Sequence, residues 1–360
     1  MPGRKTKHRL VSIVGARPQF IKALPFSRAV KAHGEFEEVM VHTGQHFDNN
    51  MSDIFFSELK IERPRYHLNV NGGGHGAMTG RMLGAIEDVL LAEKPSAVIV
   101  YGDTNSTIAG ALAAAKLHIK VVHVEAGLRS FNRRMPEELN RVVADHLSSV
   151  LLCPTKKAVE NLQREGITKG VHRVGDIMYD ATLLSVPLAK RHSKILKRLD
   201  LKPKTYGVAT VHRAENTDDH ARLSEVADFL RAQSRKRPII LPLHPRTRRA
   251  MDAAGFDFAG GDIKIIDPLG YLDMCRLLHS AEIVLTDSGG LQKEAYFHRV
   301  PCVTLRTETE WVETINCGWN RLWTTKRYRP RRSIREYGNG NAAQRILNIL
   351  ARVVTRAGKK

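Results

Sequence analysis

Several large protein classes are excluded by what this chain lacks. Its 360 residues include four cysteines, Cys153, Cys275, Cys302 and Cys317, with no C-x-x-C spacing. That pattern indicates neither a zinc site nor a disulfide framework, and it points to a reducing cytoplasm. No apolar run approaches the ~20 residues of a membrane-spanning helix, so no membrane partner is expected. Behind the basic start "MPGRKTKHRL", the run "VSIV" is too short for a secretory signal. No G-x-G-x-x-G follows the first apolar run, which disfavours a nicotinamide cofactor. No GxxxxGK[ST] is present either, which disfavours a P-loop NTPase. With no metal constellation in the sequence, neither a metal nor a cofactor is expected.

Acidic residues are also in short supply. Lys and Arg number 57 against 37 Asp and Glu, a formal net charge of +20. The excess concentrates in "GRKTKHR", "RAQSRKRP", "KRYRPRRSIR" and "RAGKK", with few aromatics between. No helix-turn-helix, RNA-binding or zinc-finger signature accompanies it. A solvated basic surface with affinity for phosphorylated ligands explains this better than nucleic acid as the main ligand.

What is present is a regular alternation. "LVSIVG", "EEVMVHT", "SAVIVYGD", "VVHVEAG", "VLLCPT" and "HRVGD" read as strands. Between them "PQFIKALPFSRAVKAH", "MTGRMLGAIEDVLLAEK", "STIAGALAAAKLH" and "PEELNRVVADHLSS" read as helices. The pattern pauses in the charged stretch 187–204 and restarts with "YGVATVH", "PIILPLH", "IKIID", "EIVLTDS" and "VPCVTLR". The fold class is therefore α/β, with two Rossmann-like doubly wound domains, 1–186 and 187–338, and a helical tail, 339–360. Open parallel sheets bind ligands beyond their strand C-termini, so a cleft between the domains is expected.

The chemically suggestive residues fall at those strand ends. They are Arg17, Asp103 and Glu125 in the first half, and His212, Arg213, His244, Asp287 and Ser288 in the second. Any one alone is weak, because a lone strand-end histidine is more often structural and Asp103 can cap the next helix. Their coincidence across both halves favours a site. "TDSGGLQKEA" is a phosphate site in pattern: Ser288, Gly289 and Gly290 open a helix whose free N–H groups can receive an anion. Glu294, about a turn later, can accept from ribose hydroxyls. In "VVHVEAGLRSFNRRMPEELNR" a strand delivers Glu125, and Pro136 opens a helix headed by Glu137 and Glu138. Arg129, Arg133 and Arg134 lie between them.

"VGARPQFIK", "TGQH", "YGDTNST", "HVEAGLRS", "PEELNR", "VGD", "HRAEN", "LTDSGGLQKEA" and "TEWVE" occur in an order that resembles the non-hydrolysing UDP-N-acetylglucosamine 2-epimerases. The resemblance runs from about residue 10 to the helix near 355. It implies a glycosyltransferase-B-like architecture, a C-terminal helix crossing back onto the first domain, and a homodimer. It also implies a reaction in which UDP leaves C1 as a base takes the C2 proton. The glycal formed then takes UDP back with protonation on the opposite face, so proton-transferring groups are needed on both sides of C2. By resemblance these are Asp103, Glu125 and Glu137. Arg17 and Lys22 contact the substrate or its diphosphate. His212 acts with Arg213, Ser288, Gly289 and Gly290 on the departing UDP, and Glu294 holds the ribose.

The chain departs from the common family form in several places. Gln19 stands for Glu, Phe47 for Arg, and "NGGGHGAMTG", 71–80, for a Pro-Gly stretch. The loop "SFNRRMPEE" is shorter, and the region between Trp323 and "YGNGN" is abbreviated. The changes near 45–50 and 71–80 leave an activating second UDP-sugar site unsupported. Together they resemble the branch acting on UDP-2,3-diacetamido-2,3-dideoxy-D-glucuronate, which makes the mannuronate epimer for surface polysaccharide such as O-antigen. A uronate needs a cation for its carboxylate; Arg134, nearer the helix start than Arg133, is the better candidate. The alternatives are a UDP-N-acetylglucosamine 2-epimerase yielding UDP-N-acetylmannosamine, a hydrolysing 2-epimerase, a glycosyltransferase of the same architecture, or a non-enzymatic nucleotide-sugar binder.

Overall fold

The protein is described by a computed structural model covering residues 7–45, 62–253, 255 and 261–355. It divides into two compact units: Met1–Ala181 with Arg335–Lys360, and Thr182–Ile334. The division falls within the helix Ile177–His192, and the charged stretch 187–204 completes that helix before adding the short helix Ile195–Arg198.

In the first unit the strands are β1 (His8–Val14), β2 (Phe36–His42), β3 (Tyr66–His67), β4 (Ala97–Tyr101), β5 (Lys120–Val124), β6 (Val150–Cys153) and β7 (Val171–Arg173). They form one parallel sheet in the order β3-β2-β1-β4-β5-β6-β7. Ala97–Tyr101 is buried at every position, as expected of a central strand covered by helices on both faces. The helix Asn105–Lys116 begins at Thr104, whose side chain accepts from the Thr107 N–H, and its small residues Ala109, Ala111, Ala113 and Ala114 are buried in the core. The helix Ala342–Thr355 also belongs to this unit. Ile346, Leu347 and Leu350 are fully buried there, and the Ala343 N–H bonds Asp180 Oδ2 at 2.9 Å.

The second unit repeats the scheme with β8 (Gly207–Thr210), β9 (Ile239–Pro242), β10 (Ile263–Ile266), β11 (Ile283–Thr286), β12 (Cys302–Thr304) and β13 (Asn320–Leu322). Their order is β10-β9-β8-β11-β12-β13, again parallel. Strand order reverses between β1 and β4 in one sheet and between β8 and β11 in the other, where loops diverge and leave room for a ligand. Two edge strands have no counterpart in the sequence reading. β3 and β13 are two and three residues long, too short to carry a periodic signal.

Candidate active site

The candidate residues of the first unit gather where β1, β4 and β5 end. The pairing of Tyr101 with Val124 sets the following residues side by side, so Asp103 and Glu125 leave adjacent strands. Lys22, on the helix Arg17–His33, donates to Glu125 Oε2, and both side chains are nearly buried. This pair packs against Gly102, where a Cβ would lie 3.2 Å from Lys22 Nζ and 3.3 Å from Glu125 Oε2. With φ of +63°, Gly102 also holds a backbone conformation that side chains disfavour. Asp103 accepts from Arg141, whose other terminal nitrogen bonds Glu138 at 2.7 Å. Burial pulls the Arg141 guanidinium down, but Asp103, Glu138 and Glu125 outweigh it and hold it above the ordinary arginine value.

The two glutamates heading the helix Pro136–Leu147 have separate tasks. Glu138 is buried and accepts from the Ser130 N–H, the Ser130 hydroxyl and the Phe131 N–H, each at 2.9 Å. Burial raises its carboxyl, yet these donors and Arg141 leave it below the usual carboxylate range. Glu138 therefore pins the loop in place. Glu137 is exposed, with no ion pair among the described residues. Arg133 and Arg134 are exposed on the same loop, where the Arg134 N–H bonds Asn132 Oδ1 at 3.1 Å. Arg129 differs from them: its side chain is buried, pairing Asp145 at 2.6 Å and Glu165 at 2.7 Å. Arg17 opens the helix Arg17–His33 and is half-buried.

Gln19 proves to be a structural residue. Its Oε1 accepts from the Gly15 N–H at 2.8 Å and the Ala16 N–H at 3.1 Å. Its Nε2 donates to the Tyr101 carbonyl at 2.8 Å and Thr107 Oγ1 at 3.1 Å. An amide supplies both donor and acceptor, whereas an ionised Glu could not donate to Tyr101. The stretch 71–80 becomes a glycine loop leading into the helix His75–Glu93, with Arg81 donating to the carbonyls of Asn71 and Gly72. Phe47 and its neighbours 46–50 lie outside the described residues.

In the second unit the strand-end Asp287 is engaged by its own neighbourhood. Its side chain is fully buried and accepts from the N–H groups of His212 and Arg213, each at 3.0 Å, and from Asn216 Nδ2 at 3.0 Å. It shapes the loop after β8. His212 keeps 40% of its side chain exposed, with its Nδ1 3.3 Å from Asp287. The His212 ring centre lies 6.1 Å from that of His244, which is exposed. Ser288 caps the helix Gly289–Phe297 by accepting from the Leu291 N–H. Glu294 lies half-buried one turn along that helix, and its Oε1 lies 3.9 Å from where a Gly290 Cβ would stand.

One further residue at this helix start, Glu310, was not among the sequence candidates. Glu310 Oε1 would lie 2.3 Å from a Cβ on Gly289, and Arg213 Nη2 3.6 Å from it. Glu310 pairs with Arg306 at 2.8 Å and approaches Arg213 at 3.8 Å. Only its place in "TEWVE" could have pointed to Glu310, and Arg141 had a comparable signal in "PEELNR". Among the described residues no cluster of His, Cys, Asp and Glu is arranged to hold a metal, and no helix is long and apolar enough to cross a membrane.

Comparison with known proteins agrees with this geometry. Residues 28–351 match the model of the UDP-N-acetylglucosamine 2-epimerase family. A UDP-N-acetylglucosamine 2-epimerase homolog of Methanococcus maripaludis is 49% identical, covering 95% of this chain and 99% of its own. The UDP-2,3-diacetamido-2,3-dideoxy-D-glucuronate 2-epimerase of Pseudomonas aeruginosa is 48% identical over 96% of this chain and all of its own. The Methanocaldococcus jannaschii UDP-GlcNAc 2-epimerase, solved with UDP-GlcNAc and UDP, superposes with a TM-score of 0.84 at 42% identity, covering 96% and 99% of the two chains. The two Rossmann-type sheets are thus those of the glycosyltransferase-B-like epimerases, and the chain belongs to the UDP-N-acetylglucosamine 2-epimerase family.

Proposed function

We propose that this protein inverts C2 of UDP-2,3-diacetamido-2,3-dideoxy-D-glucuronate, giving the mannuronate epimer for surface polysaccharide, as a homodimer in the cytoplasm. A base takes the C2 proton as the C1–O bond to UDP breaks, and a C1=C2 double bond forms. UDP then re-adds at C1 while a proton reaches C2 from the other face. In this reading Asp103, Glu125 and Glu137 transfer the protons, and Arg17 and Lys22 hold the substrate. His212, Arg213, Ser288, Gly289 and Gly290 stabilise the charge on departing UDP, and Glu294 takes the ribose. Arg134 binds the uronate carboxylate.

The observation that carries the reading is the pairing of Asp103 with Arg141 and of Glu125 with Lys22 at adjacent strand ends. The exposed Arg133 and Arg134 and the 48% identity to the Pseudomonas aeruginosa enzyme support the uronate. UDP-N-acetylglucosamine is the second reading, favoured by the 43% identical Methanococcus maripaludis enzyme of that name. Incubation with each UDP-sugar in D2O, followed at C2 by NMR, tests both. Deuterium at C2 of the epimerised uronate is expected. Free sugar with UDP would indicate a hydrolase, and silence until an acceptor is added would indicate a transferase. Turnover of UDP-N-acetylglucosamine at equal or greater efficiency would overturn the uronate assignment.

A further inference from the structure

His123 lies on β5, two residues before Glu125, and it and Asp145 are completely buried. Its Nε2 is 2.7 Å from the Gly102 carbonyl, and its Nδ1 is 2.7 Å from Asp145 Oδ1. A carbonyl can only accept, so Nε2 carries a hydrogen. Asp145 accepts as well: its other oxygen takes the Gly127 N–H at 3.0 Å and Arg129 at 2.6 Å. The buried Arg129 guanidinium paired with Asp145 favours its ionised form, which can only accept. Nδ1 therefore carries a hydrogen too. A neutral imidazole has one N–H and could satisfy only one of these acceptors.

The charge is balanced locally. Arg129 pairs with both Asp145 and Glu165, and His146 lies 3.5 Å from Glu165. Cys153 also lies close to Asp145; burial and then Asp145 push its thiol up to about 12. Two cations, His123 and Arg129, thus face two anions, Asp145 and Glu165, an arrangement that offsets the cost of burying charge.

We propose that His123, donating from both ring nitrogens, is a positioning residue that fastens the segments carrying Asp103, Glu125 and Glu137 to one another. Gly102, held through its carbonyl, immediately precedes Asp103. Gly127, held through Asp145, follows Glu125 by two residues. Asp145 itself stands on the helix that Glu137 begins. The turn so fastened needs the constraint, because Glu125 has φ of 74°, in the left-handed region that a non-glycine side chain rarely occupies. His123 touches none of the reacting atoms in this scheme; it sets where the carboxylates stand. The positioning role rests on the functional reading above, while the charge state does not.

Two measurements test this. In 15N-histidine NMR of the wild-type protein, with His123 assigned through its backbone, both ring nitrogens should show the position of a nitrogen that carries hydrogen. A neutral-tautomer pattern, with one ring nitrogen bare, would overturn the proposal. For His123→Gln, which keeps one amide donor, kcat should fall about 10²-fold, the scale expected for misplaced reacting groups, with KM and UDP affinity within threefold. A kcat within threefold of wild type, or a loss confined to KM, would overturn it. If wild-type protein epimerises no UDP-sugar, the functional reading fails and takes the positioning role with it, while the spectrum still decides the charge.

Discussion

The two units are built on one plan and use their carboxylates in opposite ways. Both sheets are parallel, and the first six strands of one follow the same order as the six of the other. In the first unit the strand-end carboxylates Asp103 and Glu125 are held by side-chain cations, Arg141 and Lys22. In the second, Asp287 is consumed by the backbone N–H groups of its neighbouring loop. That loop carries Arg213, near the open start of the helix Gly289–Phe297. Topology decides where polar groups collect; the partner of each carboxylate decides whether the site suits proton transfer or anion binding.

The sharpest way to break this contrast is to damage each side separately. Asp103→Asn and Glu125→Gln should each lower turnover at least ~10²-fold, the usual weight of a general acid or base, while UDP affinity by calorimetry stays close to wild type. Gly289→Ala should do the reverse and weaken UDP first, since its Cβ would stand 2.3 Å from Glu310 Oε1. Equal effects on turnover and UDP binding in both sets would erase the distinction.

A smaller effect concerns substrate choice within the first unit. Arg134→Ala should weaken the uronate substrate by roughly 1.5–3 kcal/mol, the value of a charge-assisted hydrogen bond, and leave UDP binding unchanged. Competition between the two UDP-sugars measures this directly. Loss of both sugars in parallel would remove Arg134 from recognition.

The third effect separates the units by acid. His298 is buried with its ring 5.8 Å from His279; burial, then His279 and Lys204, push its pKa down to about 3. His279 is lowered to about 4 by burial and by Lys190, Lys204 and Arg276. An unfolded imidazole titrates near 6.5, so below that pH the unfolded chain takes protons the folded unit refuses. Stability is full above about 6.5 and falls toward pH 3, by about 2 kcal/mol at pH 5 from His298 alone. Trp311, Trp319 and Trp323 are the chain's three tryptophans, and all lie in the second unit, so their fluorescence in urea follows that unit. His298→Gln should flatten the pH dependence; an unchanged slope would count against this account.

Much of this arrangement was legible in the sequence. Central strands declare themselves because both faces are buried and their apolar runs are continuous, so the loops bearing Asp103, Glu125, His212 and Ser288 could be located. Side-chain direction was not legible. Glu137 and Glu138 are adjacent in the same motif, yet one faces solvent and the other is buried under three donors. Asp287 was singled out by its strand-end position alone, which is the same whether the side chain bonds a ligand or a loop. Gln19 stood out only as a departure from the common Glu, since spacing does not reveal that both ends of its amide are engaged. Arg141 and Glu310 were missed because Asp103 and Gly289, the site residues they reach, lie far from them in sequence.

The helix Ala342–Thr355 has a consequence for biosynthesis. It completes the first unit with Ile346, Leu347 and Leu350 and accepts a bond from Lys120 Nζ at the Val353 carbonyl, 2.8 Å away. The second unit is encoded between the two pieces of the first. On a ribosome adding about 5–20 residues per second, residues 1–181 therefore wait roughly ten to thirty seconds with an apolar seat unfilled. The second unit, continuous in sequence, needs nothing made later than itself. Newly made chains should thus expose their first half to chaperones for longer than their second, although it was translated first.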